Sequence, residues 1–451
     1  MEKVHKLRMS ATSIVTLSFL IMIIVGTALL CLPFATRSGK VDFLTSFFTA
    51  TSATCVTGLI IEDTFVHWSY FGQAVILILI QIGGLGFITI ISLFTVVSRK
   101  RASLSQRKLA LQSAGGVSLG GVRSLLKTIL IGTFAVEFIG AFILCFAFVP
   151  QYGWGLGIWE AVFTSISAFC NAGFAITDAI TGYTSLMPFI GNPLVIITVV
   201  LLIIIGGIGF FVWGDVARNG IHLKKYSLHS KLVLTTTGAL ILGGWVLFAI
   251  FEWNNPATIG NQSVGTKILA SLFLSVTPRT AGFNTIDYAS MTSAGSALTM
   301  VFMFIGGSPG STAGGIKTVT LAVFFLSFIA NAKRYDEIHL YKRRFENEAS
   351  AHASSVICLY ITSAIISVII ISAIEVNSGF TLEDTVFEVI SALGTVGLSR
   401  GITAQLHVIS KLIIILLMFF GRVGGLTLIF VFSGDKKPVP LSRVAEKIII
   451  G

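Results

Sequence analysis

Charge is what this chain has least of. Asp, Glu, Lys and Arg together make up 11% of its 451 residues, while 54% are hydrophobic; soluble domains carry roughly a quarter charged residues. A soluble fold of this length has too little polar surface to cover that much apolar area. The five cysteines, Cys31, Cys55, Cys145, Cys170 and Cys358, are odd in number. They lack both disulfide-framework and metal-ligand spacing. Seven scattered histidines, with no His/Asp/Glu cluster at ligand spacing, exclude a membrane metalloenzyme as a useful reading. No low-complexity run and no separate soluble domain is visible.

Long apolar runs are abundant instead. Met9–Pro33, Pro193–Gly214 and His407–Phe432 each exceed the roughly 18 residues that mark a membrane-spanning helix. The first is too long for the core of a cleaved leader. The net charge of +11 is concentrated in the tails and three linkers. Lys3, Lys6 and Arg8 open the chain, and Lys436, Lys437, Arg443 and Lys447 close it. The linker groups are Arg99–Lys108, Arg218–Lys231 and Lys333–Arg344. The alternate loops are poor in Lys and Arg. This asymmetry predicts cytoplasmic termini and a multi-pass plasma-membrane protein, and it argues against nucleic acid as a partner.

Four short segments end in glycine at Gly58, Gly173, Gly282 and Gly397, spaced 115, 109 and 115 residues apart. The period predicts one unit used four times, each a span, a re-entrant helix, a turn-like strip and a return span. The first unit uses Ala11–Leu32, Asp42–Ala53, Thr54–Leu59 and Phe71–Val97. The second uses Leu125–Val149, Trp159–Ala168, Phe169–Phe174 and Pro193–Val216. The third uses Lys231–Phe251, Lys267–Val276, Thr277–Phe283 and Ala297–Ile329. The fourth uses Ser354–Ile374, Leu382–Leu393, Gly394–Leu398 and Val408–Phe432. The expected fold is therefore all-α and integral to the membrane: eight spans and four re-entrant helices about a pseudo-fourfold pore. The expected divisions are 1–110, 111–225, 226–345 and 346–451.

Irregular backbone at membrane depth is tolerated where it lines a watery cavity. Carbonyls there can replace the hydration shell of a dehydrated cation, and re-entrant helices aim their partly negative C-termini at the same place. The candidate filter residues are Thr54, Cys55, Val56, Thr57 and Gly58; Cys170, Asn171, Ala172 and Gly173; Thr280, Ala281 and Gly282; and Gly394, Thr395, Val396 and Gly397. The first and fourth strips resemble the Thr-Val-Gly of potassium-channel filters, though neither continues into Tyr-Gly. Cys55 and Cys170 fall beside the permeation path; the other cysteines read as packing residues.

The return spans carry a second repeated signal: Gly83-Gly84-Leu85-Gly86, Gly206-Gly207-Ile208-Gly209, Gly306-Gly307-Ser308-Pro309-Gly310 and Gly421-Arg422-Val423-Gly424. Close helix packing explains the first two as well as any special role does. The third is different. Gly306, Gly307, Ser308, Pro309, Gly310, Ser311, Thr312, Ala313, Gly314 and Gly315, followed by Lys317, cannot continue a helix. They predict a plug beneath the filter. Ile316 separates Gly315 from Lys317, so the stretch is not a nucleotide-binding P-loop. Arg422 lies inside an apolar span and defaults to function, either holding the plug or repelling a cation. Glu137, mid-span, is expected to have a buried structural partner. Lys317 is expected to reach the cytoplasmic interface, and Arg279 and Arg400 to sit at the filter's rim.

The segment Thr277-Pro-Arg-Thr-Ala-Gly-Phe-Asn-Thr-Ile-Asp287, the broken third return span and Arg422 resemble the Trk/Ktr/HKT potassium transporters across essentially the whole chain. The short chain and basic tails are most similar to the bacterial Ktr membrane subunit. The resemblance implies four span–pore–span units around a potassium pore, filter glycines at Gly58, Gly173, Gly282 and Gly397, and a gating loop over Gly306–Gly315 contacted by Arg422. Sodium-carrying plant relatives have Ser at the first filter glycine, so Gly58 implies potassium preference. It further implies no bound cofactor, potassium as substrate with sodium as a possible activator, a homodimer, a separate cytosolic nucleotide-binding ring, and membrane lipids as partners of the basic linkers. The apolar tail Lys447–Gly451 would then lie near the dimer contact. A sodium-coupled carrier, or a sodium-permeable member of the same superfamily, is the alternative.

Overall fold

The computed structural model describes residues 11–86, 122–177, 185–335, 339–341, 343–344 and 347–425. The N-terminal arm, the basic linker of residues 99–108 and the tail through Lys447–Gly451 lie outside them, so the expected position of the termini and of the tail is not addressed by these residues.

The regular structure of the described residues is helical, apart from a two-residue antiparallel pair, His339–Leu340 with Arg343–Arg344. In chain order α1 is Ala11–Leu30, α2 Phe43–Thr54, α3 Thr64–His67 and α4 Tyr70–Leu85. Helix α5, Val122–Cys170, is broken at Gly153 (φ 80°), next to Pro150, so it is a long arm followed by a shorter one over 154–170. Then come α6 Pro193–Gly207, α7 Phe210–Asn219, α8 Leu228–Glu252 and α9 Val264–Val276. The remainder are α10 Ser293–Phe304, α11 Thr318–Ala332, α12 Asn347–Ile374, α13 Leu382–Gly394 and α14 Val408–Val423.

Three of the four short helices that precede a strip open on a side-chain cap. Asp42 accepts from the Thr45 amide, Ser263 from the Thr266 amide, and Thr381 and Asp384 form a reciprocal capping box. Such caps satisfy amides that have no partner within the helix.

Burial is inverted relative to a soluble protein. Phe138 and Phe146 are 73% and 63% exposed on the outside, whereas Thr51, Ser52, Ser165, Ser167, Ser271 and Ser391 are fully buried. An apolar exterior around a hydroxyl-rich centre suits hydrocarbon as solvent. Among the described residues four helices are long and apolar enough to cross a membrane, or five if α6 and α7 are one bent span.

Packing between consecutive parts is cyclic. Helix α4 packs on α5, α6 on α9, α10 on α13, and α14 returns to α2. Three large apolar clusters fill the spaces between them.

One expectation needs correction. Pro193–Val216 is not a continuous span: α6 and α7 meet at 93°. Gly209 takes φ 90° at the corner. The backbone there is held from outside the helix, because Ser308 N donates to Gly207 O (2.9 Å) and Phe210 N donates to Gly310 O (2.8 Å).

Candidate ion path and intramembrane loop

The four strips have one backbone design. The residue two before each glycine is left-handed: Val56 (φ 56°), Asn171 (59°), Thr280 (66°) and Thr395 (51°). Three of these are β-branched, for which such a conformation costs on the order of 1–3 kcal/mol each. A hydroxyl residue in, or directly after, the preceding helix holds every strip. Ser52 Oγ accepts from Gly58 N and Ser391 Oγ from Gly397 N, both at 3.1 Å. Ser167 Oγ and Thr277 Oγ1 donate instead to the carbonyls of Phe174 and Phe283, both at 2.7 Å. These four hydroxyl residues were not picked out by sequence. Their common offset from the strip glycines, five or six positions, was the available signal.

The glycines themselves close a ring. A Cβ added to Gly58 would lie 3.1 Å from Gly173 Cα; one on Gly173 would lie 2.8 Å from Gly282 Cα. From Gly282 the distance to Gly397 Cα would be 3.3 Å, and from Gly397 back to Gly58 Cα 2.9 Å. No side chain fits between these backbones. Helices α2, α9, α13 and the 154–170 arm of α5 all end at this ring, which puts four partly negative C-termini around it. Thr54, Thr57, Thr280 and Thr395 keep buried hydroxyls with no hydrogen-bond partner among the described residues. Cys55 and Cys170 are buried at the base of the first two strips, and all five cysteines are free thiols.

On one side of the ring lies a cavity of about 320 Å³, lined by the four glycines together with Glu62, Asp63 and Asp287. On the other side lies the irregular segment between α10 and α11. Its ends run side by side as a parallel bridge between Ile305 and Ile316. Gly306 N donates to Ile316 O (2.8 Å), Thr318 N to Gly307 O (3.0 Å), and the Ser308 and Thr318 hydroxyls bond at 2.9 Å. Between them Pro309, Gly310, Ser311, Thr312, Ala313, Gly314 and Gly315 form a closed loop. Thr312 Oγ1 reaches Phe169 O (3.1 Å), and Gly314 abuts Thr395.

Arg422 donates from Nη1 to Thr312 O and from Nη2 to the carbonyls of Gly83 and Gly84, the last at 3.2 Å. It thus joins the loop to the end of α4. Lys317 departs from expectation. Its Nζ turns back to donate to Ala313 O (2.6 Å) rather than reaching outward, because the loop leaves carbonyls without helical partners.

Arg400 stands at the outer end of α13, paired with Asp384 (2.6 Å) and Glu383 (3.0 Å). It also donates to Ser296 Oγ (3.2 Å) and so pins the segment after Gly397. Burial pushes the Asp384 carboxyl up, but bonds from Thr381 and Arg400 outweigh it and hold the group below its ordinary range. Arg279, expected at the rim, is buried instead. Glu137 is buried mid-helix and accepts both Gln81 Nε2 bonds, at 2.9 and 3.2 Å. Gln81 is the partner that sequence did not name.

A helical chain with an apolar exterior, four glycine backbones closed into a ring and an irregular loop beside it has the build of a membrane ion-transport protein. The comparisons agree. A family profile described as TrkH, a cation transport protein, matches residues 2–437. The potassium/sodium uptake protein NtpJ of Enterococcus hirae is 40% identical, covering 100% of this chain and 99% of its own. The Ktr system potassium uptake protein B of Bacillus subtilis is 39% identical over 96% of this chain and 95% of its own. The crystal structure of the potassium transporter TrkH from Vibrio parahaemolyticus shares the fold, with a TM-score of 0.73 at 20% identity over 96% of this chain and 87% of that one. This chain belongs to the TrkH cation transport family, and the family is one of transporters rather than enzymes.

Proposed function

We propose that this chain carries potassium into the cell through a gated pore made from four tandem units, divided as 1–110, 111–225, 226–345 and 346–451. Eight spans and four re-entrant helices surround the path, with both termini in the cytoplasm of a bacterial cell. The observation that carries this reading is the glycine ring: four strips of one backbone design, meeting with no room for a side chain. Carbonyls of Thr57, Ala172, Ala281 and Val396, next to those glycines, would replace water around a potassium ion. Glu62, Asp63 and Asp287 in the outer cavity would raise the local concentration of cations. Residues Gly306–Gly315, with Lys317 and Arg422, act as the gate.

Relatives named as parts of Ktr systems support a partner subunit for this chain; in the proposed reading the chain is a homodimeric translocating subunit and that partner is a separate cytosolic nucleotide-binding ring. No cofactor is required; potassium is the cargo. A second reading, in which sodium is also carried or drives uptake, is favoured by the relative named for potassium and sodium together.

The test is rubidium and sodium uptake in potassium-starved cells that lack their own transporters. Gly58→Ser and Gly397→Ser should lower the preference for potassium over sodium by about tenfold or more, equivalent to about 1.4 kcal/mol. Unchanged selectivity in both variants would remove the filter assignment. Strict sodium dependence in the parental chain would favour the second reading.

A further inference from the structure

The turn joining α7 to α8 presents a surface that ion conduction does not use. Helix α7 leaves α6 at 93°, so it runs across the direction of α6 rather than along it. Val216, Ile221 and Leu223 are exposed there, Ile221 to 92%. Between and beside them stand exposed Arg218, Lys224 and Lys225. Neither lysine forms an ion pair among the described residues.

The turn is held in shape. Buried Tyr226 donates to Gly220 O (2.6 Å). Asp215 of α7 accepts from Ser227 N (3.0 Å) and from the hydroxyls of Ser227 and Ser230 (2.6 Å each) at the start of α8. Lys231 Nζ caps Lys224 O (2.9 Å). A rigid turn with isolated aliphatic side chains among cations is poorly suited to bulk water. It matches the boundary between headgroups and acyl chains.

We propose that α7 and this turn form a binding surface for anionic phospholipid of the cytoplasmic leaflet. Lipid phosphates take Arg218, Lys224 and Lys225, and Ile221 and Leu223 enter the acyl boundary. The surface is coupled to the intramembrane loop. Phe210 N donates to Gly310 O (2.8 Å), and the Phe211 ring covers Gly310, where an added Cβ would lie 2.7 Å from a ring carbon. Seating of α7 on lipid therefore bears on the loop. This coupling rests on the reading of that loop as the gate and of this face as cytoplasmic.

Two measurements on the full chain decide it. In native mass spectrometry, phosphatidylglycerol should bind the parental protein more tightly than the variant Arg218→Gln/Lys224→Gln/Lys225→Gln. The expected loss is about fivefold per charge, the factor that corresponds to about 1 kcal/mol per basic residue at an anionic surface; phosphatidylcholine binding should not change. In vesicles of phosphatidylcholine with or without phosphatidylglycerol, parental flux should respond to the anionic lipid and the triple variant should not. Phe211→Ala should keep lipid binding and lose the flux response. Equal phosphatidylglycerol binding by parental and triple variant overturns the lipid surface. A triple variant that still responds to lipid but no longer to a cytosolic partner makes this a protein-docking face and equally overturns it. A Phe211→Ala protein that still responds refutes the coupling alone. Absence of ion flux in every vesicle refutes the transport reading, while the binding comparison still decides the lipid surface.

Discussion

Arg422 and Thr312, 110 positions apart in the chain, are joined by a hydrogen bond from a guanidinium nitrogen to a main-chain carbonyl. The same guanidinium reaches Gly83 and Gly84, so one charged group ties α14, the loop and α4 together. Hydrogen bonds to charged groups contribute about 1.5–3 kcal/mol each. Arg422→Gln should therefore release the loop and raise basal rubidium flux by about tenfold or more. Arg422→Lys, which offers a point charge instead of a fork, should fall between the two. A variant with unaltered or reduced basal flux would mean that Arg422 does not restrain the loop.

The hydroxyls of Ser52 and Ser391 stand behind the ring and accept from the amides of the first and fourth glycines. Removing either acceptor leaves a buried N–H without a partner, which costs about 1–3 kcal/mol. Ser52→Ala and Ser391→Ala should each lower potassium-over-sodium preference in flux assays by about fivefold or more, while the protein still assembles in the membrane. Ser52→Thr, which keeps the hydroxyl, should restore most of the preference. If the alanine variants discriminate as well as the parent, the left-handed residues Val56 and Thr395 hold the strips unaided.

What the sequence disclosed about this path was local. A glycine followed by Leu or Phe at an even spacing, and a run such as Gly306–Gly315 that no helix tolerates, are visible because their cause lies in the residues themselves. The corner at Gly209 was not visible. Its pattern, Gly206-Gly207-Ile208-Gly209, matches Gly83-Gly84-Leu85-Gly86 and reads as close packing in both places. The helix turns there because the loop, 100 residues later, supplies Ser308 N and Gly310 O to the interrupted backbone. Lys317 failed for a related reason: a lysine near an interface ordinarily extends to water, but nearby loop carbonyls offered it bonds first. Gln81 and Glu137 are 56 positions apart, and nothing in either neighbourhood announces the other. The offset hydroxyls of Ser52, Ser167, Thr277 and Ser391 were present in the sequence. Serine and threonine within apolar helices usually bond back to their own helix, and that ordinary role concealed them.

Asp384 and Arg400 set the acid limit of the outer rim. The Asp384 carboxyl sits below its ordinary range in the folded protein, so its contribution to stability is complete above the unfolded value and is lost as pH falls through the folded one. Thermal stability should therefore decline as pH drops below the usual carboxylate range. Asp384→Asn should be less stable than the parent at neutral pH, and the gap should narrow at low pH. Melting temperature measured against pH checks this. A gap that is the same at acid and neutral pH would assign the loss to the capping box with Thr381 rather than to the ion pair.

Glu137 is the more severe case because it is buried at 4% exposure in the middle of a span, with Gln81 donating to both of its oxygens. Removing one partner so that a buried polar group is left unsatisfied is more damaging than replacing both partners together. Gln81→Leu should lower the melting temperature of the purified protein, consistent with a loss of about 1–3 kcal/mol. The double variant Gln81→Leu/Glu137→Leu should recover much of that loss, since only the weakly donating Cys170 thiol is then left without a partner. Ser165 donates to the Glu137 main-chain carbonyl, a bond the double variant keeps. If the double variant is the less stable of the two, the pair is not a compensated unit. If both are stable but ion flux collapses only when Glu137 is changed, then the carboxylate acts in transport and the structural role argued for it is wrong.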